Sequence, residues 1–356
     1  MMAMLHPEVI LDRFIKAELC HRVAFSGYVG KLDIERLESP QVRSLLYSVQ
    51  DALNEALRRE NVNASGGVEH APFHFDYIDV DRNEGNPNEQ NALAFQHGGF
   101  SFIVVTLPMV ELLWEVSRLL SRSQLMLQLL GLEAESVDLD LVQRVLFQIQ
   151  LGFLVSHEYT HHVHRHCTEA GGGAAVVWAE FLPDERTGSL DSQAQELDAD
   201  AYAAYLTLSH LVCGDWRQSV LSQLGRGGNP TTECDESLLT IFFLAVMAFF
   251  CALWREGVNS ASVYRTRHPS PPVRITFVIR VAEMWCGQFG SIPRSWFTPA
   301  RFQELFRTAS GVIGAEAKQS WDVSMSFLRS PEGAQYDERL LDRFEAIRKG
   351  SEFVVP

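Results

Sequence analysis

The sequence predicts a mostly helical α+β fold, with a small sheet lying beside one long helix that carries the reactive side chains. Three observations predict it. Helix-periodic segments dominate the chain, from residues 36–61 near its start to 272–290 and 299–349 near its end. Only 73–80 and 91–107 read as strands. Between these groups stands His157-Glu158-Tyr159-Thr160-His161, with two histidines one turn apart on the same helical face.

The elements follow in chain order. Residues 36–61 place Leu45, Leu46, Val49, Ala52, Leu53, Ala56 and Leu57 on one face, with Pro40 near the helix start. Phe73, Phe75 and Tyr77 alternate with His74 and Asp76, the pattern of a half-buried strand. Residues 81–90, with Gly85, Asn86 and Pro87, read as a loop. Residues 91–107 then form a hairpin or strand pair around Gly98-Gly99, offering an edge to which an extended peptide can add a strand. A helix over 108–130 ends at Gly131. The motif helix runs from Leu139 to His166 through the apolar stretch Val145–Val155, with Gly152 as a weak point. Gly171 to Gly188 reads as a mobile loop. After it comes an Ala-rich helix around Glu196, with Asp191 or Ser192 as N-cap. Residues 1–70 are expected to form a helical extension and 71–356 a single catalytic domain.

The chemistry begins with the motif. Two histidines at this spacing can reach one metal ion, and the Glu beside the first can contact water without occupying the metal. His157 and His161 are therefore candidate zinc ligands, and Glu158 a candidate general base for peptide hydrolysis. Catalytic zinc takes three protein ligands and leaves one position open. The pattern with a third His on the same segment fails, because His164 and Cys167 stand where Gly and His would be needed. Thermolysin-like enzymes take a Glu from a second helix instead, and Glu196 is placed for that role, the alternative for Glu196 and Asp200 being solvated surface charges. Asp200, one turn later, can hold the outer nitrogen of a ligand histidine. His164, seven residues after His157, is expected on the metal-facing side, behind the ligands or towards substrate. His162 and His166 point elsewhere. They read as a polar helix end favoured by the macrodipole, the alternative being a second, adventitious metal site.

Composition narrows the class. A formal charge of −15 over 356 residues, with no basic run, argues against a nucleic-acid partner. Six scattered cysteines without a Cys-x-x-Cys pair fit reduced thiols, and no signal peptide is evident, so a cytoplasmic location is expected. Ser237–Trp254 carries no charge, and its eighteen residues would span about 27 Å as a helix. Such a helix is buried in protein or in lipid. The buried helix is favoured, because a span here would part Glu196 from His268. A membrane-anchored form is the alternative.

These segments together resemble gluzincin peptidases of the group that contains the CaaX prenyl endopeptidases and the heat-shock membrane proteases. Asn91–Phe95 and Gly98–Val105 resemble that group's hairpin and edge strand, and Glu196 with Ala199-Asp200 its third-ligand motif. His268-Pro269 with Arg274 resembles an element that brings a His and an Arg to the active site. The resemblance covers roughly residues 90–285. It implies a zincin-like fold, a zinc cofactor, protein or peptide substrates, and oxyanion stabilisation by His268 and Arg274. On the residues alone, His268 reads equally as a helix-entry residue and Arg274 as solvated. Only 34 residues separate His161 from Glu196, which suits a compact soluble member. A weaker resemblance is to Lit-type phage-exclusion peptidases. The expected activity is zinc-dependent endoproteolysis. A zinc-containing module that binds a peptide without cutting it is the rival from another class, and it would have no use for Glu158.

Overall fold

A computed structural model of the chain describes residues 5–22, 25–38, 40–63, 71–81, 90–167, 177–179, 189–226, 232–253, 259–260, 262–289, 292–311 and 315–350. The loop expected at 81–90 falls mostly outside these residues, as does the mobile segment expected at 171–188. The mostly helical α+β class is observed. Internal contacts divide the chain into two compact units, Met1–Glu111 with Glu158–Glu185, and Leu112–His157 with Arg186–Pro356.

The first unit holds the sheet. Its strands are β1 (Tyr28–Lys31), β2 (Phe73–Val80), β3 (Ala92–His97), β4 (Phe100–Thr106) and the two-residue β5 (Trp178–Ala179). They lie in the order β1-β2-β4-β3-β5. β2 and β4 run parallel and the other neighbours antiparallel. The β3–β4 hairpin turns at Gly98 and Gly99, with φ of 57° and 84°, a pair of left-handed positions that two glycines adopt without strain. Helix α1 (Pro7–Ala17) packs Leu11, Phe14 and Ile15 into a core with Ile78, Phe95, Phe102 and Val104. Helix α2 (Pro40–Asn63) supports β2 by an unusual route. The Asn54 side-chain amide donates to the Phe75 carbonyl at 2.9 Å, and its oxygen accepts the Phe75 N–H at 2.8 Å. That pairing satisfies backbone groups of β2 just beyond the strand's register with β1.

Two expectations about the sheet are corrected. β2 is not half-buried, since its polar residues His74 and Asp76 are buried as well. The hairpin does not leave β3 as an open edge along its length, since Leu93 and Ala94 pair with Ala179 and Trp178 of β5. The sheet does lie beside the end of the motif helix, as expected. Tyr159 packs on Phe73 with ring centroids 5.0 Å apart, and His162 Nε2 sits 2.8 Å from the Phe102 carbonyl oxygen.

The second unit is helical. It contains most of α3 (Leu107–Ser121), then α4 (Gln124–Leu129) and the first nineteen residues of α5 (Leu139–Val163). It continues with α6 (Leu190–Leu208), α7 (Trp216–Gln223), α8 (Thr232–Ala252), α9 (Pro271–Phe289), α10 (Pro299–Gly311), α11 (Ala315–Leu328) and α12 (Pro331–Gly350). The single helix expected over 108–130 is two helices. Ser123 breaks it by taking an extended conformation and capping α4 through the Met126 N–H. Among the described residues, α5 and α8 are long and apolar enough to cross a membrane, and 67 % and 89 % of their apolar windows are buried inside the protein. In the soluble reading this makes α8 a core helix. Gln150 crosses that core, donating to the Ala245 carbonyl at 3.1 Å and accepting from Ser117 at 2.9 Å, so its buried amide is bonded on both sides. Gly152 is no weak point. α5 runs through it unbroken, and a Cβ there would stand 2.6 Å from the Trp216 ring, so the glycine serves close packing.

Candidate active site

Helix α5 begins where Asp138 Oδ1 accepts the Asp140 and Leu141 N–H groups at 3.0 and 3.3 Å, and it continues unbroken through the motif. His157 and His161 therefore keep the one-turn spacing of a regular helix. Helix α6 is fixed by a capping box in which Ser189 accepts the Ser192 N–H and the Ser192 hydroxyl accepts the Ser189 N–H. The N-cap is thus Ser189, and Ser192 is the reciprocal partner. This start sets Glu196 and Asp200 one turn apart on a buried face.

Five charged or titratable side chains are linked in the helical unit. Arg274 Nε lies 2.7 Å from Asp200 Oδ2 and Nη2 lies 2.8 Å from Oδ1, a bidentate pair. Asp200 Oδ1 also lies 3.0 Å from His157 Nδ1. On its other side His157 turns Nε2 to Glu196 Oε2 at 3.2 Å, and the same oxygen stands 2.9 Å from His268 Nδ1. The Arg274 guanidinium lies 4.6 Å from the Phe250 ring centroid, which completes an apolar wall. His157, Glu196 and Asp200 are each at most 1 % exposed, a placement that is costly for charged groups unless they are paired.

Electrostatics assigns the protons. Burial alone would raise the Asp200 pKa, but Arg274 and His157 outweigh it and hold the carboxyl below its ordinary value. Asp200 is therefore an anion that accepts the His157 Nδ1 proton. In neutral imidazole Nε2 is then a lone pair, and it faces the Glu196 carboxylate. A metal cation, or a proton shared between the two groups, satisfies both at 3.2 Å. Atoms about 2.1 Å from a tetrahedral zinc stand about 3.4 Å apart, so the observed separation fits that ion. His161 follows His157 by one turn of the same unbroken helix and can supply a second imidazole. Two imidazoles and one carboxylate are a zinc donor set.

The remaining expected residues fall as follows. Glu158 is buried beside His157. His268 is held near Glu196 by the segment before α9. There Gln193 of α6 donates to the Val263 and Thr266 carbonyls at 2.7 and 2.6 Å and accepts from the Tyr336 hydroxyl at 2.7 Å. Arg274 is buried, not solvated, with two of its donors on Asp200. His164 stands one residue past the end of α5 at Val163, its N–H still donating to the Thr160 carbonyl at 2.9 Å. Arg165 then takes the left-handed conformation, φ 61°, which costs a non-glycine residue about 1–2 kcal/mol. The turn is held by the Cys167 N–H donating to the His161 carbonyl at 3.1 Å. As a result His166, read from sequence as pointing away, comes back to place its Nδ1 2.9 Å from His161 Nδ1. Reading His166 as one more helical position hid this contact. Gln193 was missed because nothing local marks a glutamine that bridges distant loops.

Residues 132–285 match the model of a family described as Peptidase U49. The matched stretch contains the motif, Glu196, Asp200, His268 and Arg274. No curated protein and no solved structure matches the chain. The family match supports a peptidase, a hydrolase whose substrates are proteins or peptides.

Proposed function

We propose that this peptidase is a zinc-dependent endopeptidase of the gluzincin kind, with His157, His161 and Glu196 as ligands. The observation that carries this reading is the His157 ring, fixed by Asp200 at Nδ1 and facing Glu196 with Nε2. A bound zinc ion would supply a Lewis acid that acidifies water and polarises a carbonyl. Glu158, next to the first ligand, takes the proton of the attacking water and delivers it to the departing amine. Asp200 keeps His157 in the tautomer that leaves Nε2 free to bind, and Arg274 keeps Asp200 ionised and oriented. This use of Arg274, through Nε and Nη2, stands beside the oxyanion contact that the resemblance implies for it. His268, whose side chain is one-fifth exposed, stands at the open side of Glu196 and serves the developing oxyanion.

The resemblance to the CaaX prenyl endopeptidase group, and more weakly to Lit-type peptidases, supports the gluzincin assignment. The burial of α8 inside the protein supports a soluble enzyme over a membrane-anchored one, and the scattered cysteines are the ground for proposing a cytoplasmic location. Metal analysis of the purified full chain tests the ligand set. One equivalent of zinc is expected in the wild type and a loss of at least tenfold in affinity in Glu196→Gln; no zinc in the wild type contradicts the reading.

A further inference from the structure

The two ligand histidines are backed by different chemistry. His157 gives its Nδ1 proton to the anion Asp200. His161 faces a second imidazole, with the two Nδ1 atoms 2.9 Å apart and the ring centroids 5.1 Å apart at 61°. At that distance one nitrogen carries the proton and the other the lone pair. If His161 binds zinc through Nε2, its only proton lies on Nδ1, so His161 donates and His166 accepts. His166 must then carry its own proton on Nε2. The fold is built to hold this pair. Arg165 at φ 61° turns the chain back, the Cys167 N–H closes the turn on the His161 carbonyl, and Cys167 Sγ donates to the Ala94 carbonyl of β3 at 3.7 Å. A left-handed non-glycine residue held in place by surrounding bonds is the kind of strain that marks a working geometry.

We infer that His166 is a positioning residue, a neutral acceptor that fixes the tautomer and orientation of His161 for zinc. The inference rests on the zinc reading above. Its test is zinc affinity, measured on the full chain by competition with a fluorescent chelator, for wild type, His166→Leu and His166→Asn. Leucine removes the acceptor, whereas asparagine keeps an acceptor oxygen branching at the same side-chain position as Nδ1. His166→Leu is expected to bind zinc 10- to 100-fold more weakly, the usual effect of removing such a partner. His166→Asn is expected to recover most of that loss. Thermal unfolding of the metal-free proteins shows whether either variant is simply misfolded, and rescue by asparagine separates acceptor chemistry from packing. Equal affinity in wild type and His166→Leu overturns the inference, as does asparagine binding no better than leucine. Two equivalents of zinc in wild type falling to one in His166→Leu also overturns it, by making His166 a ligand. A wild type that binds no zinc removes the zinc reading itself. One equivalent in wild type leaves that reading standing whatever His166 does.

Discussion

Both units bury an aspartate beside a histidine, and Asp76 and Asp200 are solved in opposite ways. Asp76 of β2 and Asp200 of α6 are both fully buried. Asp76 takes its close hydrogen bonds from neutral donors, the Gln50 amide and the Tyr77 N–H, each at 2.8 Å. Its histidine, His74, stands off at 3.3 Å, and its cation, Lys31, at 3.6 Å is partly exposed and also bonded to Glu8. Asp200 instead takes a bidentate arginine, itself buried, and a histidine at 3.0 Å. The first arrangement anchors a strand to the helix beside it. The second spends its charge on orienting one imidazole, whose far nitrogen meets Glu196. A buried carboxylate is thus not by itself a sign of function. What separates the two cases is whether the held histidine presents its other nitrogen to further metal-ligating groups.

The contrast breaks most readily at the cations. Arg274→Met leaves Asp200 as a buried charge with its main partner gone, which should cost about 3–5 kcal/mol by urea unfolding of the metal-free protein. Lys31→Met should cost no more than about 1 kcal/mol, because that ion pair is partly solvated and Asp76 keeps its neutral donors. Equal losses would erase the distinction. The carboxylates sharpen it next. Asp200→Asn should weaken zinc binding about 10- to 100-fold, while Asp76→Asn should leave zinc affinity unchanged in the same chelator competition. A matched loss in both would mean that Asp200 acts through general stability. Asn54→Leu probes the sheet side alone. It strands the Phe75 N–H and C=O, so about 1–3 kcal/mol of stability should go with no change in zinc affinity.

Much of this was legible in the sequence because it depends on local periodicity. Helical spacing alone places His157 with His161 and Glu196 with Asp200, and alternation finds β2. The Gly98-Gly99 pair marks the hairpin. What escaped depends on where helices stop and on what lies across the fold. Arg165 ends the helical path in a left-handed turn without a glycine to announce it, so helical spacing does not place His166. Ser123 is an ordinary cap inside an apolar run, and it divides α3 from α4. Gly152 looked like a break because the side chain that needs its space, Trp216, is 64 residues away in sequence. The resemblance brings Arg274 to the active site, and its buried partner Asp200 lies on another helix. Nothing local to either residue records that bond.

In the proposed mechanism Glu158 performs the acid–base work, with His157, His161 and Glu196 as the zinc ligands. Its most direct test is cleavage mapping of a complex peptide mixture by zinc-loaded wild type and Glu158→Gln, with zinc content measured in both. One equivalent of zinc is expected in each protein, with cleavage at least about 100-fold slower in Glu158→Gln. Undiminished cleavage by Glu158→Gln at full zinc loading would contradict it.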